Sequence, residues 1–251
     1  MSNTTLHNEN VSVTLKSLGA ELTSIKDASG TEYLWQGNPE FWSGQAPVLF
    51  PIVGCLRNGT ATIGDNKTCS FGRHGLARRL EFDLVSSSDT SVTYSLKAND
   101  KTKEQYPYDF ELQMTYELTE HGVKVSHTVI NHDSVVMPYC VGGHPAFNCP
   151  VFENESFEDY IVEFEQPENA ACAQLTEDGL INNADRVSVL ENEAVIPVRH
   201  SLFYKDALVF DALKSRKVAL KHKKTGHGIL VSFPDFDYLG VWSSANDGPF
   251  V

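Results

Sequence analysis

Long apolar stretches are missing from this sequence of 251 residues. The longest, APVLFPIVG at 46–54, is far shorter than the roughly 20 residues that a membrane-spanning helix needs, and it contains two prolines. Residues 1–15 also lack the basic and apolar segments of a secretory signal peptide. We therefore expect a cytoplasmic protein with no membrane partner.

Cysteine is scarce and irregularly spaced, with five residues in all and no C-x-x-C pair. Free thiols of this kind are typical of the reducing cytoplasm. The zinc-enzyme motifs H-x-H and H-E-x-x-H are absent, and the spacings of Cys69 from His74 and of Cys140 from His144 match no zinc pattern. We expect no metal and no cofactor.

Positive charge is also in short supply, since 20 Lys+Arg face 33 Asp+Glu and the net charge is −13. Nucleic acids and anionic membranes attract basic surfaces, so the sequence argues against both as partners.

The G-x-S-x-G motif of serine hydrolases is missing. A glycosidase needs two facing carboxylates, and the local sequence singles out no such pair.

Alternating apolar and polar residues run along most of the chain and predict β-strands. The clearest hairpin extends from Phe110 to Val129 and turns at 119–122. The only helix-like stretch is 100–104. Further strands are predicted at 161–164, 207–210, 218–220 and 228–233. The pattern predicts an all-β fold, an antiparallel sandwich or barrel, with a single domain over 1–251.

Two of the nine histidines stand in unusual local sequence, His74 in FGRHGLAR and His144 in VGGHPAFNCP. The glycine and proline residues beside them interrupt a regular strand, so we expect both rings at the mouth of a cleft. Imidazole titrates near neutral pH, and two converging imidazoles suggest proton transfer. The other histidines, among them His222 and His227, lie among charges, turns or strand faces, where a structural role is expected.

Seven ordered segments carry a resemblance to a known family. They are YLWQGNPEFW (33–42), APVLFPIVGCLRNG (46–59), GRHGLAR (72–78), YPYDFEL (106–112), GGHPAFNCP (142–150), KDALVF (205–210) and FPDFDYLGVWS (233–243). Together they closely resemble the aldose 1-epimerase (galactose mutarotase-like) family, in particular its bacterial LacX-type branch. The resemblance runs from about residue 11 to the last residue. It implies a large antiparallel β-sandwich, the galactose mutarotase-like supersandwich, in a protein that is a monomer or a homodimer.

The resemblance further implies an activity, the interconversion of the α and β anomers of an aldose sugar without a cofactor. This reaction needs a base to take the proton from the C1 hydroxyl and an acid to protonate the ring oxygen. The ring opens, the C1–C2 bond rotates, and reclosure attacks the other face. By the resemblance, His144 is the acid, and His74 binds the sugar near the ring oxygen and assists.

Further residues are expected to bind the sugar. By the resemblance, Arg57 donates hydrogen bonds to sugar hydroxyls and Asp206 accepts them. Arg78 either faces the same cleft or forms a structural ion pair. Sugars also present apolar C–H faces, for which Phe147 and Trp35 are the aromatic candidates, and the alternative for both is a place in the core.

One residue of the family pattern has no match in this sequence. The family's base is a Glu in a C-I-E-P-W-like segment after a PFV-type sequence, whereas this chain reads GPFV at 248–251 and ends there. Glu153, Glu155 and Glu158 follow the His144 motif and are interpreted as a solvated acidic loop. Either the sequence is truncated or the protein is a degenerate member. Two functions therefore stay open, a mutarotase and a catalytically silent sugar-binding protein, and so does the aldose, free or phosphorylated.

Overall fold

The structure is a computed structural model that describes residues 2–64 and 66–251. Met1 and Asp65 lie outside the described residues, and Asp65 belongs to the segment Gly64-Asp65-Asn66, whose sequence predicts a turn. The described chain consists mainly of β-strands that pair antiparallel, and this confirms the predicted all-β fold. The helices in the described part of the chain are too short and too polar for any of them to cross a membrane.

The chain divides into two compact units. The first comprises Met1–Gln36 and Gly44–Pro145, and the second comprises Gly37–Ser43 and Ala146–Val251. Each unit has its own sheets and its own buried side chains. A single domain over 1–251 stays a prediction.

The first unit contains several small antiparallel sheets. In chain order its elements are β1 (Asn3–His7), β2 (Val11–Lys16), β3 (Glu21–Asp27), β4 (Val48–Leu49), a 3₁₀ turn (Arg57–Gly59), β5 (Thr60–Ile63), β6 (Lys67–Ser70), a 3₁₀ turn (Ala77–Arg79), β7 (Asp83–Ser87), β8 (Ser91–Lys97), α1 (Asp100–Gln105), β9 (Phe110–Leu118), β10 (Val123–Asn131) and β11 (Gly142–Gly143). Strands β1, β2 and β3 form one sheet, and β10, β9, β8 and β7 form another, in these orders. Strand β4 pairs with β11, and β5 pairs with β6.

The predicted hairpin is formed by β9 and β10, which pair from Leu118–Val123 to Phe110–Asn131. The period-two face of β9 is buried as expected, because it packs into the core of the unit; its members are Phe110, Leu112, Met114 and Tyr116. Not every apolar residue in a strand is buried, since the Leu84 side chain is 55% exposed. Leu84 lies on the edge strand β7, where a register shift follows it and interrupts the alternation.

The short helix α1 is longer by one residue than the helix-like stretch in the sequence. It begins after Asn99, whose side chain accepts a hydrogen bond from the backbone N–H of Thr102 at 3.1 Å. The Thr102 hydroxyl in turn accepts from the N–H of Asn99 at 2.8 Å. This reciprocal cap satisfies N–H groups that the first turn of a helix leaves without partners.

A buried aromatic residue fastens the segment after β4. The Phe50 ring is fully buried, with its centroid 5.9 Å from that of Tyr106 and 5.1 Å from that of Phe110. Its carbonyl oxygen accepts a hydrogen bond from the N–H of Leu76 at 2.9 Å. Gly75 lies directly against this carbonyl, in an isolated parallel bridge. The FGRHGLAR segment is therefore attached to the core through Phe50.

The second unit is built on one sheet. Its elements are a 3₁₀ turn (Phe157–Asp159), β12 (Tyr160–Leu175), β13 (Ile181–Pro197), a 3₁₀ turn (His200–Leu202), β14 (Leu208–Phe210), β15 (Lys217–His222), β16 (Gly228–Ser232) and β17 (Leu239–Val241). The strand order is β16-β15-β12-β14-β17, and β13 also pairs with β12. The predicted strands at 161–164, 207–210, 218–220 and 228–233 correspond to β12, β14, β15 and β16, whereas β13 and β17 were not predicted.

Replacing Gly75 with alanine is expected to destabilise the fold by roughly 2–4 kcal/mol. Gly75 has a φ of +73°, and an added Cβ would lie 2.2 Å from the carbonyl oxygen of Phe50. Urea unfolding followed by circular dichroism measures the loss. The matched control is Gly72→Ala, because a Cβ there meets nothing within 4 Å and is expected to change stability by less than about 0.5 kcal/mol. Equal stabilities of the two variants would contradict the role of this contact.

Candidate active site

His74 is held by one backbone loop through both its main chain and its ring. Its N–H donates to the carbonyl of Gly54 at 2.7 Å, and the N–H of Gly54 donates to Nδ1 of the imidazole at 3.0 Å. His74 adopts a φ of +67°, a backbone conformation that is uncommon for a residue with a side chain and is found at functional sites. Because Nδ1 accepts a hydrogen bond, the neutral ring carries its proton on Nε2.

His144 lies next to His74, as the shared sequence setting suggested. It follows directly after β11, and its N–H donates to the carbonyl of Pro47 at 3.1 Å. The ring centroids of His74 and His144 are 5.6 Å apart, with an interplanar angle of 79°. Both side chains are half-buried. The structure therefore brings together two imidazoles that lie far apart in the sequence.

The surroundings of His74 disfavour a positive charge on its ring. Burial lowers the pKa of His74 to about 4, and the charges of His144, Arg78 and Arg73 act in the same direction. At neutral pH the ring is therefore uncharged, and its Nε2–H is a hydrogen-bond donor.

The two arginines predicted to bind sugar differ in their surroundings. Arg57 lies in an exposed 3₁₀ turn and is not among the residues whose charges act on His74.

Arg78 is half-buried, and within the described residues its Nε has no hydrogen-bond partner. Burial, followed by the charge of Arg79, lowers the pKa of Arg78. The charge of Glu21 acts in the opposite direction and raises the pKa of Arg78, but the Glu21 carboxylate forms an ion pair with Lys16. The described residues thus give Arg78 no structural ion pair.

The remaining predicted residues, apart from Trp35, belong to the second unit. Asp206 has a φ of +77°, and its Oδ1 accepts a hydrogen bond from the N–H of Ala207 at 2.8 Å. Phe147 exchanges two backbone hydrogen bonds with Val251, at 2.7 and 2.9 Å, and its ring packs against the hydrophobic core of that unit. Trp35, in the first unit, is only 6% exposed. Both aromatic side chains thus have the core contacts that were the alternative to sugar stacking, and a role for these residues in sugar binding stays a prediction.

The interpretation of the acidic loop was wrong for one of its three glutamates. Glu153 and Glu158 are exposed, but the Glu155 side chain is only 11% exposed. Its carboxylate is 3.1 Å from Nε2 of His227. His222, for which a structural role among charges and turns was expected, is also buried. The sequence did indicate that His222 and His227 are neighbours. They flank a four-residue turn between two predicted strands, and residues in these positions face each other in a hairpin.

A family comparison agrees with these observations. The family model described as Aldose 1-epimerase matches residues 2–248. The plasmid-encoded protein LacX of Lactococcus lactis subsp. lactis is 44% identical over 252 residues, which cover 98% of this chain and 84% of LacX.

Two solved structures are similar in fold. The galactose mutarotase related enzyme from Lactobacillus acidophilus superposes with a TM-score of 0.93 at 31% identity, covering 99% of this chain and 83% of that one. A galactose mutarotase-like protein from Lactobacillus casei gives a TM-score of 0.91 at 31% identity, covering 99% and 85%. The predicted galactose mutarotase-like fold is confirmed, and the chain belongs to the aldose 1-epimerase family.

Proposed function

We propose that this protein is an aldose 1-epimerase that interconverts the α and β anomers of an aldohexose. The observation that carries the proposal is the pair of adjacent imidazoles, 5.6 Å apart between ring centroids, of which one is held neutral. The family and the mutarotase-like fold support a sugar substrate. The chemistry is acid–base catalysis by protein side chains, with no cofactor.

The two histidines take different parts in this reaction. A ring with a pKa of about 4 is protonated in about one molecule in a thousand at pH 7, so His74 is a poor acid. Its Nε2–H instead donates a hydrogen bond to the sugar near the ring oxygen. His144 then delivers the proton to the ring oxygen while a base removes the proton of the C1 hydroxyl. The C1–O5 bond breaks, the C1–C2 bond rotates, and the reverse steps close the ring on the other face.

Arg78 is the arginine whose surroundings best support sugar binding. Its charge acts on His74, and its buried Nε has no acceptor among the described residues. A buried donor without a partner is costly, and a sugar hydroxyl oxygen would satisfy it. Arg57, Asp206 and Phe147 remain proposed sugar contacts on the family resemblance.

A second function, sugar binding without catalysis, is favoured by one observation. The charges that act on His74 come from His144, Arg78 and Arg73, and no carboxylate of the described chain is among them. The reaction needs a base, and its loss costs about 10²- to 10⁴-fold in rate. A protein that binds aldoses but does not accelerate mutarotation above the spontaneous rate would match this second function.

We expect His144→Asn to lower the rate of mutarotation by about 10²- to 10⁴-fold, because the substitution removes the proposed acid. Affinity for the sugar should change little, since one ground-state hydrogen bond contributes about 1 kcal/mol. Polarimetry on freshly dissolved α-glucose and α-galactose gives the rate, and calorimetry gives the affinity. His121→Asn is the control, because His121 is exposed in the turn after β9. An unchanged rate in H144N would remove His144 from the mechanism.

Arg78→Gln is expected to weaken sugar binding by about 10- to 100-fold, because a hydrogen bond from a charged group contributes about 1.5–3 kcal/mol. Titration calorimetry with the aldose measures the change. The neighbouring Arg79 lies in the same 3₁₀ turn but is exposed, so Arg79→Gln should bind sugar as the wild type does. Equal affinities of the two variants would place Arg78 outside the binding site.

His74 should remain neutral, with its proton on Nε2, down to about pH 5 and titrate near pH 4. Long-range ¹H–¹⁵N spectra, assigned with His74→Gln, follow the ring directly. Because the folded-state pKa lies below the usual value of about 6.5, the unfolded chain binds the proton first as the pH falls. The contribution of His74 to stability is thus complete above about pH 6.5 and is lost progressively between pH 6.5 and 4. A titration near pH 6.5 would contradict the burial argument.

A further inference from the structure

A second cluster of ionisable side chains lies in the second unit, among residues that the proposed reaction does not use. Glu155, His222 and His227 each contribute one potential ligand atom, and these three atoms lie within 4.8 Å of one another. Among residues 2–64 and 66–251, this is the one group of three His, Cys, Asp or Glu side chains close enough to hold a metal ion.

The hairpin of β15 and β16 places the two imidazoles side by side. The strand pairing runs up to Lys221 and Gly228, and the next pair is His222 with His227, whose backbones are joined by an N–H···O bond of 2.9 Å. Directly opposed residues in antiparallel strands project from the same face. The rings accordingly stack, with centroids 5.1 Å apart and an interplanar angle of 14°.

A tyrosine on the neighbouring strand brings the carboxylate to this pair. Tyr160 of β12 is paired with His222 in the sheet, so it extends the same row. Its hydroxyl accepts a hydrogen bond from the N–H of Val151 at 2.9 Å and donates to Oε2 of Glu155 at 2.5 Å. The carboxylate thereby lies 3.1 Å from Nε2 of His227. Burial acts to raise the pKa of Glu155, but the hydrogen bonds from Tyr160 and His227 outweigh it and leave the pKa lowered.

The outer hydrogen bonds orient both rings in the same way. The hydroxyl of Thr225 lies 2.9 Å from Nδ1 of His222 and 2.7 Å from Nδ1 of His227. The N–H groups of Lys224 and Thr225 reach Nδ1 of His222 at 3.3 and 3.2 Å. With both Nδ1 atoms directed at the turn, Nε2 of each ring is the nitrogen that would bind an ion. Nε2 of His227 contacts the Glu155 carboxylate at 3.1 Å and the Tyr160 hydroxyl at 3.0 Å, and an ion bound there would replace these contacts. Coordination through Nε2 of His227 places the proton of that ring on Nδ1, where the Thr225 oxygen can accept it; metal-bound histidines commonly have such a partner.

We propose that Glu155, His222 and His227 form a binding site for a divalent transition-metal ion of the Zn²⁺ type. Two imidazole nitrogens and one carboxylate oxygen are a ligand set that Zn²⁺ favours, with a fourth position open to water. Ca²⁺ and Mg²⁺ prefer oxygen ligands, so the imidazole pair discriminates against them. A bound ion would join the loop that contains Glu155 to the hairpin of β15 and β16. The proposal departs from the expectation of no metal in the sequence analysis. That expectation was based on the absence of zinc motifs whose ligands are close together in the sequence.

Zinc titration of the full chain, after treatment with a chelator, tests the proposal. Calorimetry should show one saturable Zn²⁺ site per chain, and the melting temperature should rise with the Zn²⁺ concentration because the ion binds the folded state. Mg²⁺ should produce neither effect. The absence of saturable Zn²⁺ binding by the wild type would overturn the proposal.

Conservative variants identify the ligands. His222→Asn keeps a polar atom near the position of Nδ1, and Glu155→Gln keeps an acceptor for Tyr160. Each should weaken Zn²⁺ binding more than about tenfold, since the loss of even an outer partner typically costs about 10- to 100-fold. His132→Asn is the matched control and should bind as the wild type does, because His132 also contacts a glutamate, Glu111, at 3.3 Å, but outside the cluster. Unchanged affinity in both ligand variants would overturn the proposal.

A spectroscopic measurement on the wild type covers the case in which a variant fails to fold, as judged by circular dichroism. Co²⁺ in a four-coordinate site of nitrogen and oxygen ligands absorbs much more strongly in the visible range than aqueous Co²⁺. We expect this strong absorption to saturate at one Co²⁺ per chain and to disappear when Zn²⁺ is added. A spectrum identical to that of free aqueous Co²⁺ would overturn the proposal without any variant. Neither the Zn²⁺ titration nor the Co²⁺ spectrum depends on mutarotase activity.

Discussion

Both histidines of the proposed active site are held by backbone groups of one short segment, residues 47–54. The carbonyl of Pro47 accepts from the N–H of His144, and β4 pairs with the strand that precedes this histidine. Farther along, the Phe50 carbonyl fixes the segment around His74, and Gly54 binds both the backbone and the ring of His74. Because the Phe50 ring is fully buried among aromatic residues, the backbone segments that contain the two histidines are attached to the core.

This arrangement explains how two identical side chains can act differently. The N–H of Gly54 occupies Nδ1 of His74, and burial opposes protonation, so His74 is confined to one neutral tautomer. A positive charge on either ring also disfavours a charge on the other, since the rings are adjacent. A neutral His74 therefore adds no positive charge beside His144, the proposed acid. The division of labour in the proposed reaction follows from backbone contacts and burial.

Much of the strand content and the position of the two histidines could be predicted from the sequence, because both depend on the local pattern of residues. The alternation in β9 predicted its buried face, and the glycines beside His74 correctly indicated a break in regular structure. The same inference was wrong for Gly142 and Gly143, which form the short strand β11 that ends just before His144. Strand β13 was missed because its side chains are mostly exposed and its apolar residues are irregularly spaced, so the alternation of a half-buried strand is absent. The surroundings of Arg78 could not be read from HGLAR, since they depend on residues from several parts of the chain. The cluster at Glu155 required the order of strands β12, β15 and β16, which no local pattern contains.

The two histidine pairs show how neighbouring charges decide what an imidazole can bind. Around His74 the permanent charges that act are those of Arg78 and Arg73, and these cations would repel a metal ion while favouring electron-rich sugar oxygens. Around His227 the groups that contact Nε2 are a carboxylate and a tyrosine hydroxyl, which leave the site with a negative charge when the imidazoles are neutral. An ion of charge +2 is stabilised by such a donor set, and a neutral sugar gains no comparable electrostatic benefit from it. The same side chain thus belongs to the proposed acid–base pair in one unit and to the proposed cation site in the other.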